Sequence, residues 1–203
     1  MMPLLNTNLS KQSLADKGEV KSVDKTPDAI LWDQFRNGSD AAFIQIYEQY
    51  FDRLFSYGMR LTRDESLARD GIQEVFFDLK NLRCKVGPTN HIKFYLLKCL
   101  KRKLYRQLAK WEQRRADFSA EDGFGFELSH EQVLIDQQLE KERIEQLNRV
   151  IAKLSPRKKE IIYYFFYEGL SYSEIRELMG LESDHATRNL MYKALDFLRK
   201  IMC

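Results

Sequence analysis

Cysteine and histidine are scarce in this sequence of 203 residues, which contains three of each. The three cysteines are odd in number and follow no CxxC or CxxH spacing, so a disulfide framework is excluded and reduced thiols are expected. His91, His130 and His185 lie near no plausible nucleophile in the sequence, and no metal-ligand cluster is present. These shortages predict a protein that is not an enzyme and that uses no metal or cofactor.

Long apolar runs, alternating strand patterns and Gly-rich phosphate loops are missing as well. No apolar run approaches the roughly 20 residues that a membrane-spanning helix needs. The N-terminus lacks the apolar centre of a signal peptide. We therefore expect a cytoplasmic protein that does not insert into a membrane.

Apolar residues instead recur at spacings of three and four, which is typical of helices. One stripe covers 43–61, a second follows the N-cap residues Thr62 and Asp64, and a third covers 92–111. Further helices are expected at 129–154, after the N-cap pair Ser155-Pro156, at 171–179 and from 183 or 184 to 200.

A stretch at 112–128 contains acids and glycines without periodicity, and it separates the predicted helices into two groups. The sequence predicts an all-α protein with two small helical domains joined by an acidic linker. The expected boundaries are a flexible tail at 1–27, a helical domain at 28–111, a linker at 112–128 and a second helical domain at 129–203.

Charge is segregated along the chain although the formal net charge is only +3. Residues 77–115 contain twelve Lys and Arg against two acids, whereas residues 116–142 contain eight acids against one Lys. A basic block followed by an acidic one predicts a polyanion-binding surface beside a solvated connector.

The last two helices have the sequence form of a helix-turn-helix. Ser171 and Glu174 form a capping box, Gly180 is the expected C-cap, and the second helix begins at Ser183 or Asp184. Such a helix reads base edges in the major groove with the outward side chains of its first turns. The candidate DNA contacts here are His185, Thr187, Arg188, Asn189 and Tyr192, with Lys193 directed to phosphate. A solvated face on a packed helix remains the alternative.

The same helix carries an apolar stripe that is expected to pack inward, formed by Leu190, Ala194, Phe197 and Ile201. The helix after Pro156 places Arg157, Lys158 and Lys159 in its first turn, where the helix dipole disfavours cations by roughly 0.3 to 1 kcal/mol each. A DNA phosphate would compensate, so Arg157 and Lys158 are further candidate contacts. The alternative is that the cost is screened by solvent.

A basic and aromatic helix lies in the first domain. Lys98, Arg102, Arg106 and Lys110 are four residues apart and therefore share one helix face. Lys101 adds charge and Trp111 offers a ring for stacking, an arrangement that holds single-stranded nucleic acid. The alternative is a solvated cationic face beside aromatic core residues.

The preceding helix carries a polar stripe opposite its apolar one, formed by Asp70, Gln73, Glu74 and Phe77. An aromatic side chain within a polar stripe predicts a protein-docking face. Ordinary solvation explains every member except Phe77.

Taken together, residues 28 to 200 resemble a bacterial RNA polymerase sigma factor of the sigma-70 family, in the extracytoplasmic-function (ECF) group. The stretch "FIQIYEQYFDRLFSYGMRLTRDESLARDGIQEVFFDLK" resembles the first part of sigma region 2, and "HIKFYLLKCLKRKLYRQLAK" its promoter-melting helix. The stretches "LNRVIAKLSPRKKEIIYYFFYEGLSYSEIRELMG" and "LESDHATRNLMYKALDFLRK" resemble region 4.

The resemblance implies a role for each surface. The stripe from Asp70 to Phe77 would dock on the β′ clamp of core RNA polymerase, and the basic helix would capture the non-template strand of the minus-ten promoter element. Region 4 would read the minus-thirty-five element with its last helix and meet the β flap with earlier ones. An anti-sigma factor is a further candidate partner.

Two other functions are compatible with parts of the sequence. A dimeric helix-turn-helix regulator that works without core polymerase explains the C-terminal domain equally well, but it leaves the basic and aromatic helix unexplained. A helical scaffold that binds no nucleic acid does not explain the segregation of charge.

Overall fold

The computed structural model describes residues 26–112, 124–126 and 139–202. Within these ranges every regular element is helical, which confirms the predicted all-α class. The first module contains α1 (Pro27–Arg36), α2 (Asp40–Thr62), α3 (Glu65–Asn81) and α4 (Ile92–Glu112). The second contains α5 (Leu139–Ala152), α6 (Pro156–Ile162), a π-helical segment (Tyr163–Tyr167), α7 (Tyr172–Met179) and α8 (Asp184–Met202).

None of the described helices is long and apolar enough to cross a membrane. The tail up to residue 25, most of the acidic linker and the expected helix start at Ser129 lie outside the described residues.

Helix α4 is the centre of the first module. Its inward stripe is completely buried and consists of Ile92, Leu96, Leu97, Leu100 and Leu104. The stripe packs against α2 and α3. Helix α3 approaches α4 closely at Gly71, where an added Cβ would lie 2.6 Å from Cδ2 of Leu104. A larger side chain at Gly71 would therefore require the buried side chain of Leu104 to shift.

Helix α1 is an element that the apolar patterns do not predict. It begins with Pro27 at its first position, and the side chain of Thr26 accepts a hydrogen bond from the N–H of Ala29 at 3.2 Å. Trp32 and Phe35 are fully buried. The indole N–H of Trp32 donates to the carbonyl of Gly87 at 2.8 Å, which ties α1 to the loop before α4. Local capping and two large aromatics hold a helix too short for a clear periodicity.

The helix ends of the second module follow the predicted signals. Ser171 and Glu174 form the expected capping box, and Gly180 ends α7 in the left-handed region with a φ of 60°. Ser155 precedes Pro156 at the start of α6, but its side chain makes no capping hydrogen bond.

The predicted packing stripe of α8 is partly wrong. Ala194 is completely buried as expected, whereas Ile201 is exposed and Leu190 only half-buried. The line that packs on the preceding helices contains Thr187 and Met191 with Ala194. Because Ala194 belongs to both lines, the packed face is rotated by only roughly 60° from the face expected from the sequence.

The π-helical segment gives the second module an unusual aromatic surface. The N–H of Glu168 donates to the carbonyl of Tyr163 at 3.1 Å, a pairing that spans five residues. Tyr163 and Tyr164 of this segment are both buried, although they are adjacent in sequence. They join one apolar core that is continuous across the two modules.

The buried aromatics of α1 predict a measurable contribution to stability. We expect Phe35→Ala to lower the free energy of unfolding by about 3 to 5 kcal/mol, because the substitution leaves a cavity in the core. Ile30→Ala on the same helix is the matched control, since Ile30 is 48% exposed. Chemical denaturation would measure both. Equal effects of the two substitutions would show that α1 does not belong to the core.

Candidate nucleic-acid interface

The turn between α7 and α8 is held at both ends. Gly180 reverses the chain after α7, and Oγ of Ser183 accepts from the N–H of Ala186 at 3.1 Å, which caps α8. An ion pair of 3.2 Å joins Arg176 on α7 to Asp184 on α8. The structure therefore selects Ser183 as the residue that caps the second helix of the helix-turn-helix.

Most of the predicted base contacts lie on the solvent side of α8. The exposed members, which we call the recognition face, are His185, Arg188, Asn189, Tyr192 and Lys193. The guanidinium carbon of Arg188 lies 5.5 Å from the ring centre of Tyr172, which stacks on Phe165 at 5.1 Å. Tyr172 positions Arg188 through a cation–π contact. No spacing predicts this contact because it joins two different helices.

Thr187 does not belong to the recognition face, which corrects the prediction. Its side chain is completely buried, and its hydroxyl donates to the carbonyl of Ser183 at 3.0 Å. The hydroxyl is thus satisfied within the helix and turned toward the packed side of α8. The rotation of the packed face relative to the expected one accounts for the error.

The two cations at the start of α6 have different environments. Arg157 is exposed. The ammonium of Lys158 lies 5.1 Å from the ring centre of Phe197 on α8, a cation–π contact within the module. Arg157 is therefore the more accessible of the two cations for contact with a phosphate.

The predicted basic face of α4 is divided in the structure. Arg102 and Arg106 are exposed and form no ion pair among the described residues. Lys98 instead pairs with Glu177 of α7, and Lys101 pairs with Glu160 of α6 at 2.5 Å. The side chains of Lys110 and Trp111 lie outside the described part of the chain. The structure thus keeps Arg102 and Arg106 exposed and turns Lys98 and Lys101 toward the second module.

The polar stripe of α3 is confirmed as an exposed surface, and we call it the docking face. Asp70 and Gln73 are exposed, and Phe77 is 69% exposed although it is a large aromatic. Glu74 is held by α4, because it accepts hydrogen bonds from Lys103 at 3.0 Å and from Gln107 at 3.2 Å. An exposed phenylalanine beside exposed acids, one of them held by α4, fits a protein-binding surface better than a nucleic-acid-binding one.

Lys103 on the neighbouring helix α4 contacts two acids of α3, Glu74 and Asp78. Its ammonium also lies 2.7 Å from the carboxylate of Asp78. Burial opposes the charge, but the hydrogen bonds to Asp78 and Glu74 outweigh it and raise the pKa of Lys103 above its usual value. The ammonium therefore stays charged at neutral pH and neutralises part of the docking face.

Comparison with known proteins identifies the second module. Residues 144–198 match the family model of sigma-70, region 4. No curated protein sequence gives a significant match to the chain.

Two solved structures share the fold. CnrH, solved in complex with the cytosolic domain of CnrY, is 21% identical, with 86% of this chain and 96% of that chain covered and a TM-score of 0.54. The sigma factor RpoE of Bartonella quintana, solved with the anti-sigma factor NepR, is 16% identical, with 79% and 96% covered and a TM-score of 0.56. The resemblance to sigma-70 region 4 is thus shown for residues 144–198, and the chain shares its helical fold with CnrH and with the sigma factor RpoE.

Neighbouring residues of α8 allow a matched test of the recognition face. We expect Arg188→Ala to weaken duplex binding by about 1 to 3 kcal/mol at one base position, because the substitution removes a bidentate donor. Thr187→Val should leave DNA affinity unchanged and cost roughly 0.5 to 1.5 kcal/mol of stability, since it removes only a buried hydroxyl. Fluorescence anisotropy with a set of singly substituted duplexes would measure both. An equal loss on every sequence would make Arg188 a phosphate contact.

Proposed function

We propose that this chain is an ECF-type sigma factor, which binds core RNA polymerase and directs it to promoters with its own minus-thirty-five and minus-ten elements. One observation carries the proposal. The segment that matches sigma-70 region 4 presents Arg188, Asn189 and other base-reading side chains on the exposed side of a helix-turn-helix.

Each exposed surface has a role in this proposal. The recognition face reads the minus-thirty-five element in the major groove, while Arg157 holds an adjacent phosphate. Arg102 and Arg106 follow the displaced strand of the minus-ten element, together with Lys98 and Lys101 once these are released from region 4. The docking face binds the β′ clamp through Phe77, and region 4 meets the β flap.

The proposal assigns no catalysis to the chain. Core polymerase supplies the chemistry, and the chain supplies promoter choice and strand capture in the cytoplasm. RpoE was solved with an anti-sigma factor. An anti-sigma factor is accordingly a candidate partner for this chain too.

Reconstitution with core RNA polymerase tests the proposal directly. The full chain should co-purify with core and give run-off transcripts only in its presence. Phe77→Ala should weaken core binding by about 1 to 2 kcal/mol, roughly 5- to 30-fold, because an exposed aromatic is the expected anchor of a docking surface. Leu82→Ala is the matched control, since Leu82 is 44% exposed at the end of the same helix.

The competing regulator hypothesis gives a different outcome. A dimeric helix-turn-helix regulator would bind a palindromic duplex tightly and would ignore core polymerase. Size-exclusion chromatography with core and with a palindromic duplex would distinguish the two functions.

The exposed arginines of α4 predict a defect in strand opening when they are replaced. We expect Arg102→Gln to reduce the melted fraction of promoter roughly 5-fold, because about 1 kcal/mol of exposed ion contact is lost. Duplex binding should change less. Permanganate footprinting on unpaired thymines measures opening, and Lys85→Gln provides the same loss of charge at an exposed position off the helix. Unchanged footprints for Arg102→Gln would remove α4 from strand capture.

A further inference from the structure

Arg188 of the recognition face is restrained by an aromatic residue of another helix. Its guanidinium carbon lies 5.5 Å from the ring centre of Tyr172 on α7. A ring attracts a cation within roughly 6 Å of its centre, so the contact is close enough to act on the charge. Arg188 is exposed and forms no ion pair among the residues that the structure describes. The ring of Tyr172 is therefore the contact that limits where this side chain can point.

Tyr172 is itself fixed, both through its backbone and through its ring. It is the first residue of α7 and follows directly on the capping box. There Oγ of Ser171 accepts from the N–H of Glu174 at 3.3 Å, and the carboxylate of Glu174 accepts from the N–H of Ser171 at 2.8 Å. The ring stacks on Phe165 of the π-helical segment, with an angle of 27° between the planes. Both rings are half-buried, and we call Phe165 and Tyr172 the aromatic platform.

The platform leaves the ability of Arg188 to read a base intact. A ring attracts the charge of a guanidinium and occupies none of its N–H donors. Two donors in the plane of the group can therefore still bond O6 and N7 of a guanine. An arginine side chain has many rotamers, so without a support it can also turn to a neighbouring base or to a phosphate. The contact with Tyr172 removes these alternatives before DNA binds.

Lys193, the other long cation of the recognition face, has a different environment. It is exposed, and within the described part of the chain no aromatic ring holds its ammonium. A phosphate attracts a point charge from many directions, whereas a bidentate bond to a base needs a fork held in one orientation. The structure thus restrains the cation that is expected to read a base and leaves unrestrained the one that is expected to meet phosphate.

We propose that the aromatic platform sets the base specificity of Arg188, with Tyr172 as the positioning residue and Phe165 as its support. The proposal rests on the proposed function, because it takes the recognition face as the reader of the minus-thirty-five element. With its guanidinium held in one place, Arg188 selects a guanine at a single position of that element. Loss of the platform lowers discrimination between sequences more than it lowers affinity.

Substitution of Tyr172 tests the proposal. The probe is the duplex that the full chain enriches from a randomised double-stranded pool in the presence of core RNA polymerase, together with its singly substituted versions. The readout is the ratio of the affinities for the enriched and the substituted duplex. We expect Tyr172→Leu to lower this ratio about 2- to 5-fold at the position read by Arg188 and at no other, which is the loss expected for one exposed cation–π contact. Tyr172→Phe should keep the ratio, because the face of the ring remains.

Tyr167→Leu is the matched control. Tyr167 is a half-buried tyrosine of the same module, but it packs on Phe126 and Tyr163 instead. Its replacement should leave the ratio unchanged. A double-mutant cycle adds a measurement that a structural role would not affect: in the Arg188→Ala background, Tyr172→Leu should have no further effect on the ratio. Chemical denaturation of each variant gives the folded fraction by which the affinities are corrected.

Three results would overturn the platform as the source of specificity. The first is a ratio that Tyr172→Leu leaves unchanged, and the second is an equal loss of affinity on every duplex. The third is a further fall of the ratio when Arg188 is already alanine, because Tyr172 would then act without Arg188.

Failure of the proposed function has a separate signature. A chain that is not a sigma factor would give no run-off transcripts with core, whatever its specificity for duplexes. The affinity ratios would still decide the role of Tyr172, since a regulator that ignores core reads DNA with the same helix. A chain that enriches no duplex at all would overturn both proposals.

Discussion

The buried stripe of helix α4 is the constraint on which the rest of the structure depends. Five apolar side chains of this helix are removed completely from solvent, and α2 and α3 close around them. Because that stripe fixes the rotation of α4, it also decides where each cation of the basic block points. Arg102 and Arg106 face solvent, Lys103 faces the acids of α3, and Lys98 and Lys101 face region 4. The packing of this one stripe thus directs the positive charges of α4 to three places: the solvent, the acids of α3 and the second module.

Much of the fold could be predicted from local signals. Capping residues and glycines mark their helix ends through interactions within four residues, as Ser171, Glu174 and Gly180 do here. Helix α1 was not predicted, because its ten residues form too few turns to show a clear apolar periodicity. Its Thr26-Pro27 start was a usable signal, since Thr is a good N-cap and Pro favours the first helical position.

The sequence predicted most of the residues that form the candidate site, but it predicted less well which way their side chains point. Exposure of Arg188, Asn189 and Phe77 agrees with the expected faces. Thr187 was misplaced because its face depends on how α8 rotates against α6 and α7, which periodicity alone left wrong by roughly 60°. The pairing of Lys101 with Glu160 joins residues 59 positions apart, and only tertiary packing brings them together. Patterns within one helix carry no information on such a contact.

The described linker residues, 124–126, affect how strongly the second module is held near α4, apart from any contact energy. Joined modules meet at an effective concentration that depends on the length of chain between them. The hydrogen bond from Gly125 to Arg60 fastens the connection between α4 and α5 near its middle. Release of this hydrogen bond lengthens the chain between the points at which the two modules are fixed, and each doubling of loop length costs about 0.6 kcal/mol of loop-closure entropy. A ligand that removes Phe124 and Phe126 from their aromatic contacts would therefore dilute region 4 around α4 without touching a single ion pair.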